Sequence, residues 1–280
     1  MKVIAVLCTV VLSCVSALAT AQTVVPLEMW NRSIPALHAS VNGHAGFFLF
    51  DTGSGISVID KQIAQASGCT PWGQVTGFRI TGERLDLQRC DNVTFDIGGV
   101  HANAPIAGLF DIDKLTKGSP HVDGTLALDI FAGKAVTLDV GARTLTIETP
   151  ASLARRIRVA MEIPVHIVRG SGGAALGFDL GVPTPRGMAW MELDSGMDGP
   201  FLIADHVAPL FGLQPDLKTP QPVNFTLGKN VPIKGTAITA NLIMDGNIGK
   251  EFFSKWAVTF DLNRNRVWVA PTSARGEAIR

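Results

Sequence analysis

Asp51 and Asp194 are the residues on which chemistry would turn. The first ends the apolar run of FFLFDTGSGIS (47–57), and the second follows WMEL in WMELDSGMDG (190–199). Each carboxylate is followed at once by Thr or Ser and then Gly. A charge at the end of a buried strand is costly unless it is paired or used. Two carboxylates brought side by side cannot both ionise, so one keeps a proton and the other stays charged. The charged member takes a proton from a bridging water, while the neutral member polarises or protonates a carbonyl under attack. That chemistry needs no metal, no cofactor and no covalent intermediate.

Neighbouring residues have assignable duties. Gly53 and Gly196 let the chain turn beside the carboxylates, whose oxygens the turn N–H groups then hold. Thr52 and Ser195 keep a hydroxyl that is expected to bond across to the other half. Ser54 is expected to donate to the outer oxygen of Asp51. Alone, each aspartate also reads as an ordinary turn former at a strand end.

The elements that position this pair are written twice. With Asp51 set over Asp194, FFLF faces WMEL and DTGSGISVI faces DSGMDGPFLI. Residues 123–147 align without a gap to 245–269, with Asp, Gly, Phe, Ala, Val, Thr and Asp identical at seven of 25 positions. VTFDIGG (93–99) faces VNFTLGK (223–229), and VPLEMW (25–30) faces IPVHIV (163–168). Ordered blocks of this kind mark a duplicated unit. Period-two alternation in AVTLDV, TLTI, AVTFDL and RVWV, separated by Gly, Asn and Pro pairs, predicts strands. Helical spacing is confined to 60–67, 127–133 and 203–212. The expectation is an all-β chain of two pseudo-symmetric, barrel-like lobes with short helices. Their bounds are 22–150 and 162–272, with a linker at 151–161 and a tail at 273–280.

One block breaks the repeat. Lobe 1 carries GFRITGERLDLQRC (77–90), which predicts two short strands around Thr81-Gly82; lobe 2 has LQPDLKTPQPV there, and its prolines make a poor hairpin. The hairpin is a candidate lid, or an ordinary surface hairpin.

Composition narrows the rest. There are 24 basic and 24 acidic residues, so no electrostatic footprint for nucleic acid is present. The six His are scattered without zinc spacing, and no CxxC, P-loop or GxGxxG occurs. The five Trp and Phe47–Phe50 are expected in the core. Residues 1–21 have one Lys, an apolar run and Ala19-Thr20-Ala21, the layout of a secretory signal cleaved after Ala21. The alternative is an uncleaved anchor. Removal of this segment leaves Cys69 and Cys90, expected as a disulfide in an oxidising compartment, with two separate thiols as the alternative. The mature protein is expected to be periplasmic or secreted, monomeric and without a membrane span.

FDTGSGIS and LDSGMDG, each followed by an apolar block (DGTLALDIF, DGNIGKEFF), resemble the pepsin–retropepsin superfamily of aspartic peptidases, in a fused two-lobe form like that of secreted bacterial retropepsin-like proteins. Aspartic proteases are the standard example of the shared-proton pair. The resemblance covers most of 24–270 and implies a bilobal β-fold, a peptide or protein substrate bound extended in the cleft, and a flap where the 77–90 hairpin falls. Asp51 and Asp194 would be its catalytic pair, and Phe78, Thr81 and Gly82 its flap residues. The chain departs from the pattern in having no Tyr, so Phe78 is expected to supply the bulk of the missing flap tyrosine. Met197 stands where the second motif carries Ser or Thr. It cannot donate to Asp194, which is expected to raise the pair's apparent pKa and move the working pH toward neutral. Asp198 is expected either to perturb the pair or to face solvent. Two functions remain: an endopeptidase, and a peptide binder of the same fold that does not cut.

Overall fold

The computed structural model describes residues 21–114 and 118–273. The expected signal segment lies outside the described residues except for Ala21, and the tail except for Ser273. No helix among the described residues is long and apolar enough to cross a membrane.

Lobe 1 runs through β1 (Thr23–Pro26), β2 (Glu28–Trp30), β3 (Ile34–Val41), β4 (His44–Phe50), β5 (Val58–Ile59), α1 (Lys61–Ala66), β6 (Trp72–Phe78), β7 (Arg84–Ile97), β8 (Val100–Leu109), β9 (Gly124–Leu126), β10 (Ala135–Asp139) and β11 (Thr144–Glu148). Then come α2 (Pro150–Ile157), β12 (Met161–Ile163), β13 (Val165–Val168), β14 (Gly177–Thr184), β15 (Gly187–Leu193), β16 (Phe201–Ala204), β17 (Gln221–Leu227), β18 (Val231–Ala240), β19 (Gly246–Ile248), α3 (Lys250–Phe253), β20 (Trp256–Asp261) and β21 (Arg266–Pro271). The chain is mostly β, in curled sheets that form two lobes.

The duplication is explicit in strand order. Lobe 1 has the sheet β2-β3-β4-β9-β5-β8-β7-β6, and lobe 2 has β13-β14-β15-β19-β16-β18-β17. The orders match term by term, and β6 is the extra strand. A third sheet, β1-β11-β10-β20-β21-β12, joins the lobes. Its centre pairs β10 with β20 antiparallel, so Thr137 faces its own repeat mate Thr259 and the hydroxyls bond at 2.9 Å. The pseudo-twofold axis passes between them. These strands are buried on both faces, so the polar members of their alternation, Thr137, Asp139, Thr259 and Asp261, are buried with the apolar ones.

The expected linker, 151–161, contains most of α2: the Thr149 hydroxyl accepts from Ser152 N at 3.1 Å, the Ser152 hydroxyl accepts from Thr149 N at 2.9 Å, and Pro150 opens the helix. Two expectations need correction. Helical spacing at 127–133 and 203–212 yields only 3-10 turns at Leu128–Phe131 and Ala208–Phe211. Trp72 is not core; it is 55% exposed and lies under the Arg89 guanidinium, 4.6 Å from the ring centre.

Candidate active site

β4 and β15 deliver the two aspartates to the axis. Asp51 N donates to Leu126 O on β9 at 2.9 Å, and Asp194 N donates to Ile248 O on β19 at 3.0 Å. The same main-chain bond thus anchors each loop. Gly53 N donates to Asp51 Oδ1 and Gly196 N to Asp194 Oδ1, both at 2.8 Å. Each glycine lies against the opposite carboxylate. A Cβ on Gly53 would come within 2.7 Å of Asp194 Cγ, and one on Gly196 within 2.5 Å of Asp51 Cγ.

Thr52 and Ser195 interlock the loops. Thr52 Oγ1 donates to Leu193 O at 2.5 Å and accepts from Ser195 N at 3.0 Å. Ser195 Oγ donates to Phe50 O at 2.8 Å and accepts from Thr52 N at 3.1 Å. Both side chains are buried. The four bonds cross between lobes and hold the carboxylates in a fixed mutual position.

Burial first, and then the charge of Asp194 and a hydrogen bond with it, raise the Asp51 carboxyl well above the usual carboxylate range. Asp51 therefore keeps its proton where an ordinary aspartate has lost it. The donors are unequal too. Asp194 has a second one: Asn247 Nδ2 reaches Asp194 Oδ2 at 2.8 Å. Two donors thus hold Asp194 where one holds Asp51.

Asn247 is the functional-site residue that sequence reasoning missed. It stands on β19 where lobe 1 has Thr125, and it supplies the hydrogen bond that Met197 cannot make. The proposed reason for a raised pair pKa therefore fails; burial of Asp51 provides the rise instead. The Asn247 amide also donates to Glu192 Oε2 at 3.1 Å. Glu192 stands two residues before Asp194, on the same face of β15. Burial, followed by the charges of Asp194 and Asp179, pushes its carboxyl up to about 8.

Other assignments are placed differently from expectation. Ser54 Oγ donates to Ile56 O at 2.9 Å, not to Asp51. Asp198 neither faces the pair nor stands free in solvent; it accepts from Ser33 of lobe 1 at 2.6 Å and from Lys250 at 2.8 Å. Burial opposes its charge, but those two donors hold it below the usual carboxylate range.

β6 and β7 form the extra hairpin, which is longer than the 77–90 expected. Its return strand continues through Cys90 into the 93–97 strand as one piece. Arg79 N donates to Glu83 O and Gly82 N to Arg79 O, both at 2.8 Å, closing the tip with Gly82 at φ +83°. Ile243 N of lobe 2 donates to Ile80 O at 3.0 Å, so the tip reaches across to the other lobe. Thr81 is exposed at the tip. Phe78 is 62% exposed and fills no cleft, so it does not replace a flap tyrosine; Val75 and Leu87 are the hairpin residues that pack inward. Cys69 and Cys90 are joined as a disulfide across the hairpin base, with Cα atoms 5.9 Å apart. A loop of this size contributes about 3 kcal/mol in the chain-entropy model.

Comparison with known proteins adds the family. The model described as aspartyl protease matches residues 37–130, the part that carries Asp51 and the hairpin. The match supports an aspartic-peptidase-like relationship for that part of the chain. Among solved structures, the chain is similar to basic 7S globulin from soybean, at 12% identity and a TM-score of 0.56, covering 90% of this chain and 95% of that one. It is also similar to conglutin gamma, a basic 7S globulin from lupine seeds, at 9% identity and a TM-score of 0.58 with the same coverage. At such identities the likeness speaks to fold, the bilobal pepsin-like one. No curated protein matches.

Proposed function

We propose that the protein is an aspartic endopeptidase. It hydrolyses peptide bonds of an extended substrate with a water activated between Asp51 and Asp194. The carrying observation is the mirrored pair itself: two carboxylates bonded to each other, each held by the glycine two residues on, with unequal donors. Asp194, supported by Gly196 N and Asn247 Nδ2, is the charged member and takes the proton of the attacking water. Asp51, kept neutral by burial, gives its proton to the carbonyl oxygen. The gem-diol then collapses as a proton passes to the leaving amine. The hairpin closes over the peptide, and the single disulfide fits a periplasmic or secreted location.

The two lobes are not symmetric beside the pair. Ala36 pairs with Leu49 in lobe 1, and both are buried and apolar; Asp179 pairs with Glu192 at the equivalent place in lobe 2, where burial raises both carboxyls. A second reading, a peptide binder that does not cut, is favoured by one observation: Asp51 lacks the Ser54 hydrogen bond.

A diverse peptide library separates the readings. The endopeptidase reading expects cleavage, lost at least about 10³-fold in Asp51→Asn and in Asp194→Asn. Capture of peptides with no turnover at any pH from 3 to 8 would establish the binder instead.

A further inference from the structure

Away from the aspartate pair, lobe 1 gathers Asp60, His121 and Asp123, with Asp113 behind the histidine. Each carboxylate spends one oxygen on the backbone. Asp60 Oδ1 accepts from Ile63 N at the start of α1, and Asp123 Oδ2 accepts from Phe47 N, both at 2.7 Å. The other oxygens, Asp60 Oδ2 and Asp123 Oδ1, each stand 3.6 Å from His121 Nε2. That is too far for a hydrogen bond. The Asp60 side chain is only 9% exposed. His121 Nδ1 lies 2.8 Å from Asp113 Oδ2. A carboxylate oxygen only accepts, so Nδ1 carries the hydrogen, and Nε2 is the nitrogen that faces the gap and can offer a lone pair to an ion that displaces its proton.

The pseudo-twofold mate lacks the cluster. Asp245 takes the place of Asp123, with Oδ2 accepting from Trp190 N at 2.8 Å. Ala204 N bonds to Asp245 O as Asp60 N bonds to Asp123 O, so alanine occupies the Asp60 position. The His121 position falls on Ile243, two residues before Asp245. A histidine from another segment, His206, meets Asp245 Oδ1 at 2.9 Å. Ligands about 2.0–2.2 Å from a tetrahedral ion are about 3.3–3.6 Å from each other; the two His121–carboxylate distances match this, and all three ligand atoms lie within 4.8 Å of one another.

We propose that Asp60, His121 and Asp123 bind one divalent first-row metal ion, zinc foremost. Two carboxylates and one imidazole neutralise and suit such an ion, and Asp113 orients the imidazole from behind. Water completes the coordination. The ion's task is structural. It ties the start of α1 to the segment leading into β9, whose Leu126 carbonyl anchors Asp51 N. No zinc spacing is legible in the sequence because the ligands come from separate loops. This proposal is independent of peptidase activity.

The test is calorimetric titration of tag-free, chelator-dialysed full-length mature protein with zinc chloride at pH 7.5. The expected result is one equivalent bound at micromolar Kd or tighter, with a rise in Tm. His121→Gln, at an exposed position, should weaken binding at least 10-fold. Asp113→Asn should weaken it less, and His206→Gln should leave it unchanged. Asp123→Asn serves as a second ligand variant should His121→Gln alter the fold. No binding at millimolar zinc would overturn the proposal, because the gap would then hold only the proton of a charged His121. Wild-type affinity in His121→Gln would overturn it equally, since the ion would be bound elsewhere.

Discussion

Two residues decide how the pair titrates, and both come from lobe 2. Asn247 donates to Asp194, so its loss removes one support of the singly charged pair. In Asn247→Ala the acidic limb of the kcat/KM profile, a property of the pair, should move up. An unmoved limb would show that the bond has no role in the charged form. Glu192 gives a prediction about stability. Its carboxyl is raised from 4.5 to about 8, chiefly by burial. Between those values the folded protein keeps a proton that the unfolded chain has released, so stability is full in acid and falls as pH rises toward 8. Glu192→Gln removes this dependence. The variant should be more stable than wild type at pH 7, on the order of 2–3 kcal/mol, with no gain at pH 4. Denaturant unfolding at the two pH values measures the difference, and an equal effect at both would refute the assignment. The buried Asp51 proton likewise carries activity above the usual carboxylate range, so a pH–rate maximum well below pH 4 is not expected.

At the scale of elements, the hairpin that β6 forms with β7 has no counterpart in lobe 2 among the described residues. Its base is closed by Cys69–Cys90, and its tip rests on Ile243 through one main-chain bond. A peptide passing under it must break that bond. Ile243→Pro deletes the donor. Amide exchange of residues 79–83 should then quicken several-fold while the β10–β20 pairing keeps its protection. Unchanged exchange at the tip would mean that the contact does not hold the hairpin down. Substrate turnover should respond in kcat and KM together, as for other gating elements.

At the scale of the molecule, both lobes and the joining sheet share one apolar core. It contains Phe48, Phe50 and Phe95 of lobe 1, Phe178, Phe201 and Phe225 of lobe 2, and Val136, Leu138, Val258 and Phe260 of the shared sheet. Such continuity couples the lobes. Phe201→Ala, deep in lobe 2, should cost about 3–5 kcal/mol. Scanning calorimetry should show the whole peak shifting as one transition. A lobe 1 transition left at its original temperature would mean that the lobes unfold independently. The coupling matters for the site, because Asp51 and Asp194 meet only while both lobes are docked.

Much of this was legible in the residues. The duplication, the strand-rich class, the aspartate pair and the asymmetric hairpin follow from local pattern: period-two alternation, turn residues, and blocks repeated in order. Local pattern also placed Thr52 and Ser195 facing the opposite half. What it could not supply was anything set by distant segments meeting. Asn247 lies 53 positions from Asp194. It reaches the carboxylate only because β15 and β19 pair in parallel. Ser54 turned to its own strand, and Phe78 faced outward, because side-chain direction depends on the tertiary fold. The helix at 150–157 looked like a linker because its basic exposed face hides a sequence-local cap, Thr149 with Ser152. Sequence by itself determined which groups exist and how often; the tertiary structure decided which donors each charge would find, because burial and hydrogen bonding are properties of neighbours in space.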